Sequence, residues 1–309
     1  MRGIQSALEP AGVHAERIGA LWDVFLVVSA VVYVLVLLFL GIALIRRPEH
    51  ARPRGVLTGV VVASGLTVVI LFGLLVSSVF TGRAIADSPE NAVEVSVTAH
   101  QWWWQVEYND QRSVDKRFTT ANELYVPVGI PVRVFLRSTD VIHSFWVPNL
   151  HGKQDLIPGH DNQIILQATR PGVYRGQCAE FCGYQHAKMA FWVTAVPPAE
   201  FAKWADAQRQ PSRIPATASQ RKGQEIFVSG PCALCHTIQG TQASGKVGPD
   251  LTHVASRRSV AAGTVPNRRG WLAGWILDPQ HLKPGANMPP TQLQQGELEP
   301  LLDYLESLQ

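Results

Sequence analysis

The sequence predicts a multidomain membrane protein. Three observations carry that reading: two long uncharged apolar runs near the N-terminus, a middle segment of short alternating runs, and a compact Cys-x-x-Cys-His motif in the last third. The chain has 309 residues, 46% of them apolar, which is material for more than one buried core. Its formal charge of +3 comes without the Lys/Arg clusters that recruit nucleic acid, so nucleic acid is not an expected partner. The four cysteines fall into two close pairs, Cys178/Cys182 and Cys232/Cys235, each beside histidines. That spacing points to cofactors rather than structural crosslinks.

The apolar runs extend from Val24 to Ile45 and from Val56 to Phe80. Each is long enough for an α-helix to cross the hydrocarbon core, so transmembrane helices are expected over about 22–45 and 56–80, with the lipid bilayer as surroundings. A cleaved signal peptide is the competing reading of the first run, but the run is too long and no small-residue cleavage site follows it. Arg46, Arg47, Arg52 and Arg54 crowd the loop between the helices. The positive-inside rule puts that loop in the cytoplasm, with both termini and everything after the second helix outside. Such a hairpin serves as an anchor or packs against partner helices, and both readings stay open.

From about Ala92 to Pro197 the pattern changes to short runs such as Val93-Glu94-Val95-Ser96-Val97 and Val132-Arg133-Val134-Phe135-Leu136, broken by Pro and Gly. This predicts a β-sandwich or barrel. Near its end, Cys178 to Met189 packs two thiols, the His186 imidazole and the Met189 thioether into one short stretch. Soft sulfur with imidazole is the donor set copper prefers, and His143 can approach across a β-fold to supply a second imidazole. Taken singly, Cys-x3-Cys reads as a disulfide, Met189 as core and His143 as a structural histidine. Together they form a five-donor set, and its thioether disfavours zinc.

After Trp204 the composition turns to Ala, Gln, Arg, Pro and Ser, which reads as a linker over 201–219, with a new domain from about Gln220. Cys232-Ala233-Leu234-Cys235-His236 is a c-type haem attachment motif, in which the thiols form thioethers and His236 ligates iron. A redox dithiol is the competing reading, disfavoured by the histidine that follows directly. For the opposite ligand, Met288 is left once Met1 and Met189 are set aside; His253 and His281 are the alternatives.

The copper motif and its surroundings resemble cytochrome c oxidase subunit II over nearly the whole chain. The resemblance is carried by the hairpin, Gln101 to Trp104, His143 to Pro148, Lys153 to Gly159, Pro171 to Tyr174 and Cys178 to Met189. With the haem motif behind it, the chain resembles the subunit II of caa-type haem-copper oxidases. The implied fold is an N-terminal segment with a two-helix transmembrane hairpin (residues 1–91), a cupredoxin-like β-barrel holding binuclear copper A (92–200), the linker, and a small all-α class I cytochrome c domain (220–309). The resemblance makes Cys178 and Cys182 bridging thiolates, His143 and His186 terminal imidazoles, and Met189 and the Glu180 carbonyl weak axial ligands. It also puts a magnesium ion, shared with subunit I, at the Glu180 side chain, and matches Trp102 to the exposed tryptophan through which electrons arrive.

In the same family Met-Pro-Pro precedes a final helix, matching Met288-Pro289-Pro290, and Gly248-Pro249-Asp250-Leu251 resembles the haem-packing loop. The implied function is electron input from a cytochrome c or another donor to subunit I, which reduces oxygen, in a bacterial inner membrane with further oxidase subunits. No catalytic acid or base belongs to this chain. There are two departures: the start of the second helix lacks the family's glutamate, for which Glu49 is the nearest substitute, and His160 stands where many relatives have arginine. Other readings are the electron-input subunit of a copper-A nitric oxide reductase and a stand-alone membrane-tethered carrier or copper-delivery protein. Nitrous oxide reductase is excluded by the hairpin and by the lack of a propeller domain.

Overall fold

The computed structural model describes residues 3–46, 53–86, 89, 91–109 and 116–309. Arg47, Arg52 and Glu49 of the inter-helix loop lie outside the described residues. Two N-terminal apolar helices, a curled β-sheet domain of cupredoxin type and a C-terminal helical cytochrome c domain make up the chain.

Helices α1 (Val13–Arg46) and α2 (Pro53–Ile85) are both longer than the apolar runs. The polar turn with His14, Glu16 and Arg17 contains no helix breaker, so α1 runs back to Val13, while Pro53 opens α2 at the position where a proline costs no hydrogen bond. At 1.5 Å per residue each helix reaches about 50 Å, beyond the roughly 30 Å hydrocarbon core. Leu37, Phe39, Leu71 and Phe72 are exposed, as a lipid-facing surface requires. Arg17 donates to the Ala84 carbonyl, tying the outer ends of the antiparallel pair.

The β domain consists of two five-stranded sheets. One contains β1 (Val93–His100), β2 (Trp103–Asn109), β3 (Phe118–Ala121), β5 (Val132–Ser138) and β8 (Asn162–Leu166) in the order β3-β2-β1-β5-β8, β4 (Glu123–Pro127) having gone to the other sheet. The second sheet adds β6 (His143–Trp146), β7 (Gln154–Leu156), β9 (Gly172–Cys178) and β10 (Ala190–Val196), in the order β4-β10-β9-β6-β7. Alternate residues of β2, β5 and β9 turn inward, so Val106, Val134, Leu136 and Tyr174 join Trp104, Phe145, Phe191 and Val193 in one apolar core.

Two segments flanking the expected domains pack on the β domain. Residues before α1 belong with the β domain rather than with the hairpin: Ala11 is buried, its N–H donates to the Asn149 carbonyl at 2.7 Å and its carbonyl accepts from Thr169 N–H at 2.8 Å. The first part of the expected linker is helix α3 (Pro198–Gln208). It is amphipathic, and its Trp204 stacks on Tyr125 with ring centres 4.2 Å apart, beside Tyr108 and Phe118. The polar composition that suggested a linker is the solvent face of this helix. Extended chain begins only around Pro211.

The last domain packs α4 (Ala218–Ser229) across α8 (Leu298–Ser307), with Phe227, Leu301, Tyr304 and Leu305 between them. Between these come α5 (Cys232–Cys235), a ribbon of β11 (Ser259–Val260) and β12 (Val265–Pro266), α6 (Arg269–Leu277) and α7 (Pro279–Leu282). A capping box fixes the start of α4: Thr217 accepts from Gln220 N–H while the Gln220 side chain accepts from Thr217 N–H. The two helices cross at Gly223, where any Cβ would collide with the Pro300 carbonyl and Tyr304. Gly223→Ala is therefore expected to cost about 1–3 kcal/mol of domain stability. A variant with the wild-type thermal midpoint would show that the crossing relaxes freely.

Candidate metal and haem centres

The copper ligands expected from sequence converge on one place. β9 ends at Cys178 and pairs antiparallel with β6, with Phe145 opposite Cys178, which brings His143 alongside. The chain then loops through Glu180 and Cys182 to a 3-10 turn at His186–Lys188 and returns as β10 just after Met189. Cys178 Sγ lies 3.8 Å from His143 Nδ1, 3.2 Å from the Glu180 carbonyl oxygen and 3.8 Å from Cys182 Sγ. Cys182 Sγ in turn lies 3.6 Å from His186 Nδ1 and 3.8 Å from Met189 Sδ. Both thiols are free, so the disulfide reading fails. Cys178, Cys182, His143 and Met189 are all buried.

The electrostatics favour a metal. The hydrogen bond from Cys182 and the contact with His143 hold the Cys178 thiol well below the ordinary range against the cost of burial; the same pairing pushes Cys182 up. A pair that readily sheds one proton but resists losing the second is relieved by cations that share both thiolates. Burial pulls His143 down, but its contacts with Cys178 and Asp140 outweigh that and the net direction is up. Asp140 accepts from His143 Nε2 at 2.8 Å and from Gln101 N–H at 2.6 Å, fixing the ring with Nδ1 toward the thiols. Asp140 went unnoticed in the sequence, although a carboxylate three residues before a ligand histidine is a readable signal. Asp140→Asn is expected to lower copper affinity by about 10–100-fold. A competition titration against a chelator checks this, and unchanged affinity would remove Asp140 from the site.

Of the three tryptophans in the run, Trp104 is core, its ring 6.2 Å from that of His143, and Trp103 stacks on His100 at 4.4 Å. Trp102 touches the copper loop: its indole N–H and the Gln101 side chain both donate to the Cys182 carbonyl, at 2.9 and 2.7 Å. Gly183, with φ of 108°, lets the indole approach, since a Cβ there would lie 3.2 Å from it. Trp102 is half-buried rather than exposed. The Glu180 side chain is exposed, with only its carbonyl turned to the thiols.

In the last domain, α5 puts Cys232 and Cys235 one turn apart, both half-buried. His236 donates from Nδ1 to the Pro249 carbonyl at 2.7 Å, leaving Nε2 as the ligating nitrogen, and burial holds the imidazole below its usual range and so neutral. This arrangement fits a covalently held haem. His253 has both ring nitrogens engaged, with the carbonyls of Gln309 at 3.0 Å and Gln210 at 3.1 Å, and His281 is exposed. Met288 is half-buried on a loop organised by Gln280, whose amide donates to the carbonyls of Ala286 and Met288. No hydrogen bond joins Met288 to His236 among the described residues, whereas the copper donors touch one another directly.

The family model described as "Cytochrome C oxidase subunit II, periplasmic domain" matches residues 93–196, and the cytochrome c model matches residues 220–309. Cytochrome c oxidase subunit 2 of Alkalihalophilus pseudofirmus is 35% identical over 98% of this chain and 90% of that protein. The chain belongs to the cytochrome c oxidase subunit II family. Subunit 2 of Bacillus sp. strain PS3 is 31% identical over 79% of this chain and 72% of its own length. The crystal structure of the periplasmic domain of the Bradyrhizobium japonicum subunit II is 32% identical, covering 39% of this chain and 96% of that one, with a TM-score of 0.37. As a subunit II with a fused cytochrome c domain, the chain is part of a haem-copper oxidase complex and has the electron-input role in it. It is of the caa type and carries the domains that hold copper A and haem c.

Proposed function

We propose that this chain receives electrons from an external cytochrome c or another donor at its haem domain and delivers them, by way of its copper domain, to the haem-copper subunit that reduces oxygen to water. The observation that supports the reading is the presence of two separate donor sets on one chain: five soft donors in direct contact, and a Cys-x-x-Cys-His turn with one imidazole nitrogen left over. Bound copper and haem supply the one-electron carriers. The chain's own residues hold the ligands, shield them from water and keep the copper geometry fixed in both oxidation states. His143, Cys178, Cys182, His186, Met189 and the Glu180 carbonyl hold copper A; Cys232 and Cys235 attach the haem and His236 and Met288 ligate it. The exposed Glu180 carboxylate is assigned to magnesium at the face toward subunit I. The hairpin anchors the chain in a bacterial inner membrane, with both termini and both cofactor domains on the periplasmic side.

Purification of the tagged full chain from its native membrane tests this. A large polytopic haem-copper partner and oxygen consumption with reduced cytochrome c are expected. A partner that consumes nitric oxide instead, or a chain that purifies alone, would overturn the oxidase reading.

A further inference from the structure

The haem domain and the copper domain exchange buried charges. Lys283, just after α7, is only 2% exposed, and its ammonium donates to the Trp102 carbonyl of the copper domain at 2.7 Å and to the Ala261 carbonyl of its own domain at 3.2 Å. In the opposite direction Glu123 of β4, 5% exposed, accepts from the backbone N–H of Arg258 in the haem domain at 2.6 Å. Each of these hydrogen bonds crosses from one domain to the other, and truncating the side chain that makes it would leave the buried backbone group on the facing domain without its partner. Burial pulls Lys283 down to about 7 and pushes Glu123 up.

Between these two contacts the loop that leads to Met288 lies on the copper loop. Gln185 donates to the Pro284 carbonyl at 2.5 Å and Asn287 to the Gln101 carbonyl at 3.0 Å. A Cβ on Gly285 would be 3.9 Å from the Trp102 ring. Trp102 is thus held on one side by the Cys182 carbonyl and covered on the other by the haem domain, which accounts for its partial burial.

We propose that Lys283 and Glu123 are positioning residues that lock the haem domain onto the copper domain, seating the Met288 loop over Trp102 and closing that face of the copper site to external donors. This rests on the electron-input reading of the two domains. With the surface beside Cys182 occupied from within the chain, a soluble donor protein would dock on the haem domain instead of on that face.

The test uses the full chain in detergent, with a specific protease site placed at 213–216, where Ile214 is exposed on extended chain. After cleavage the haem domain should stay bound to the copper domain through size-exclusion chromatography, and the amides of residues 282–287 should stay protected from hydrogen exchange. Lys283→Met and Glu123→Val should each release the cleaved haem domain and deprotect those amides. Glu123→Gln, which keeps an acceptor for Arg258 N–H, should retain the wild-type behaviour. A wild-type haem domain that separates on cleavage would overturn the lock, and Lys283→Met that stays bound would remove Lys283 from it. Release by Glu123→Gln as readily as by Glu123→Val would refute the positioning role of Glu123. A variant that fails to fold leaves the wild-type cleavage result decisive. These results are read from the polypeptide, so a chain lacking copper or haem would defeat the electron-input reading without touching the lock, and the reverse also holds.

Discussion

Cys178→Ser and Cys182→Ser are each expected to abolish the two-copper centre. The geometry says why either thiol is indispensable. The Cys178 thiol lies against His143 and the Glu180 carbonyl, and the Cys182 thiol against His186 and the Met189 thioether. Removing one thiol leaves two donor groups no longer joined to each other, and a hydroxyl is a poor substitute for the soft thiolate that selects copper. Copper content and paramagnetic resonance on the purified variants check this, with the mixed-valence two-copper signal lost in both. Met189→Leu should keep the centre and shift its potential, since a weak axial thioether tunes rather than assembles such a site. A mixed-valence signal surviving in either serine variant would rule out a thiolate-bridged pair.

Met288→Ala is expected to leave haem covalently attached through Cys232 and Cys235 while changing its ligation and lowering its potential, because attachment and axial ligation are separate functions. The two histidines that competed with Met288 in the sequence have other circumstances in the structure. His253 is buried with both nitrogens engaged by carbonyls, and His281 is exposed. The oxidised wild-type protein should therefore show the weak near-infrared sulfur-to-iron band. Met288→Ala should lose it, and His253→Ala and His281→Ala should keep it, although His253→Ala will loosen the C-terminus that it holds at Gln309. Absence of the band in wild type, or its survival without Met288, would refute the ligand assignment.

The candidate copper donors stand out in the sequence because soft donors crowded into Cys178–Met189 have few other uses, whereas the approach of His143 depends on the pairing of β6 with β9. The haem motif was legible from its covalent chemistry alone. What stayed hidden depends on tertiary contacts with no local signature. The segment around Phe201 and Trp204 reads as polar linker, since an amphipathic helix declares itself only when its aromatic face meets Tyr125 and Phe118. The packing of the residues before Val13 on the β domain is not foreshadowed in the sequence, because a few backbone hydrogen bonds leave no pattern in side chains. Lys283 and Glu123 resemble any surface charge until the two domains are seen to enclose them. The family resemblance likewise matches Trp102 to an exposed tryptophan, whereas its covering comes from a loop far along the chain.

Electrons are expected to pass within this chain from the haem domain to the copper domain. Photoreduction of the haem in the isolated full chain, followed at the separate absorbances of haem and copper A, measures it directly. The expected result is haem reoxidation matched in amplitude by copper reduction, at a rate that does not change with protein concentration. Haem that stays reduced beside an oxidised copper centre, or a rate that rises in proportion to concentration, would contradict it.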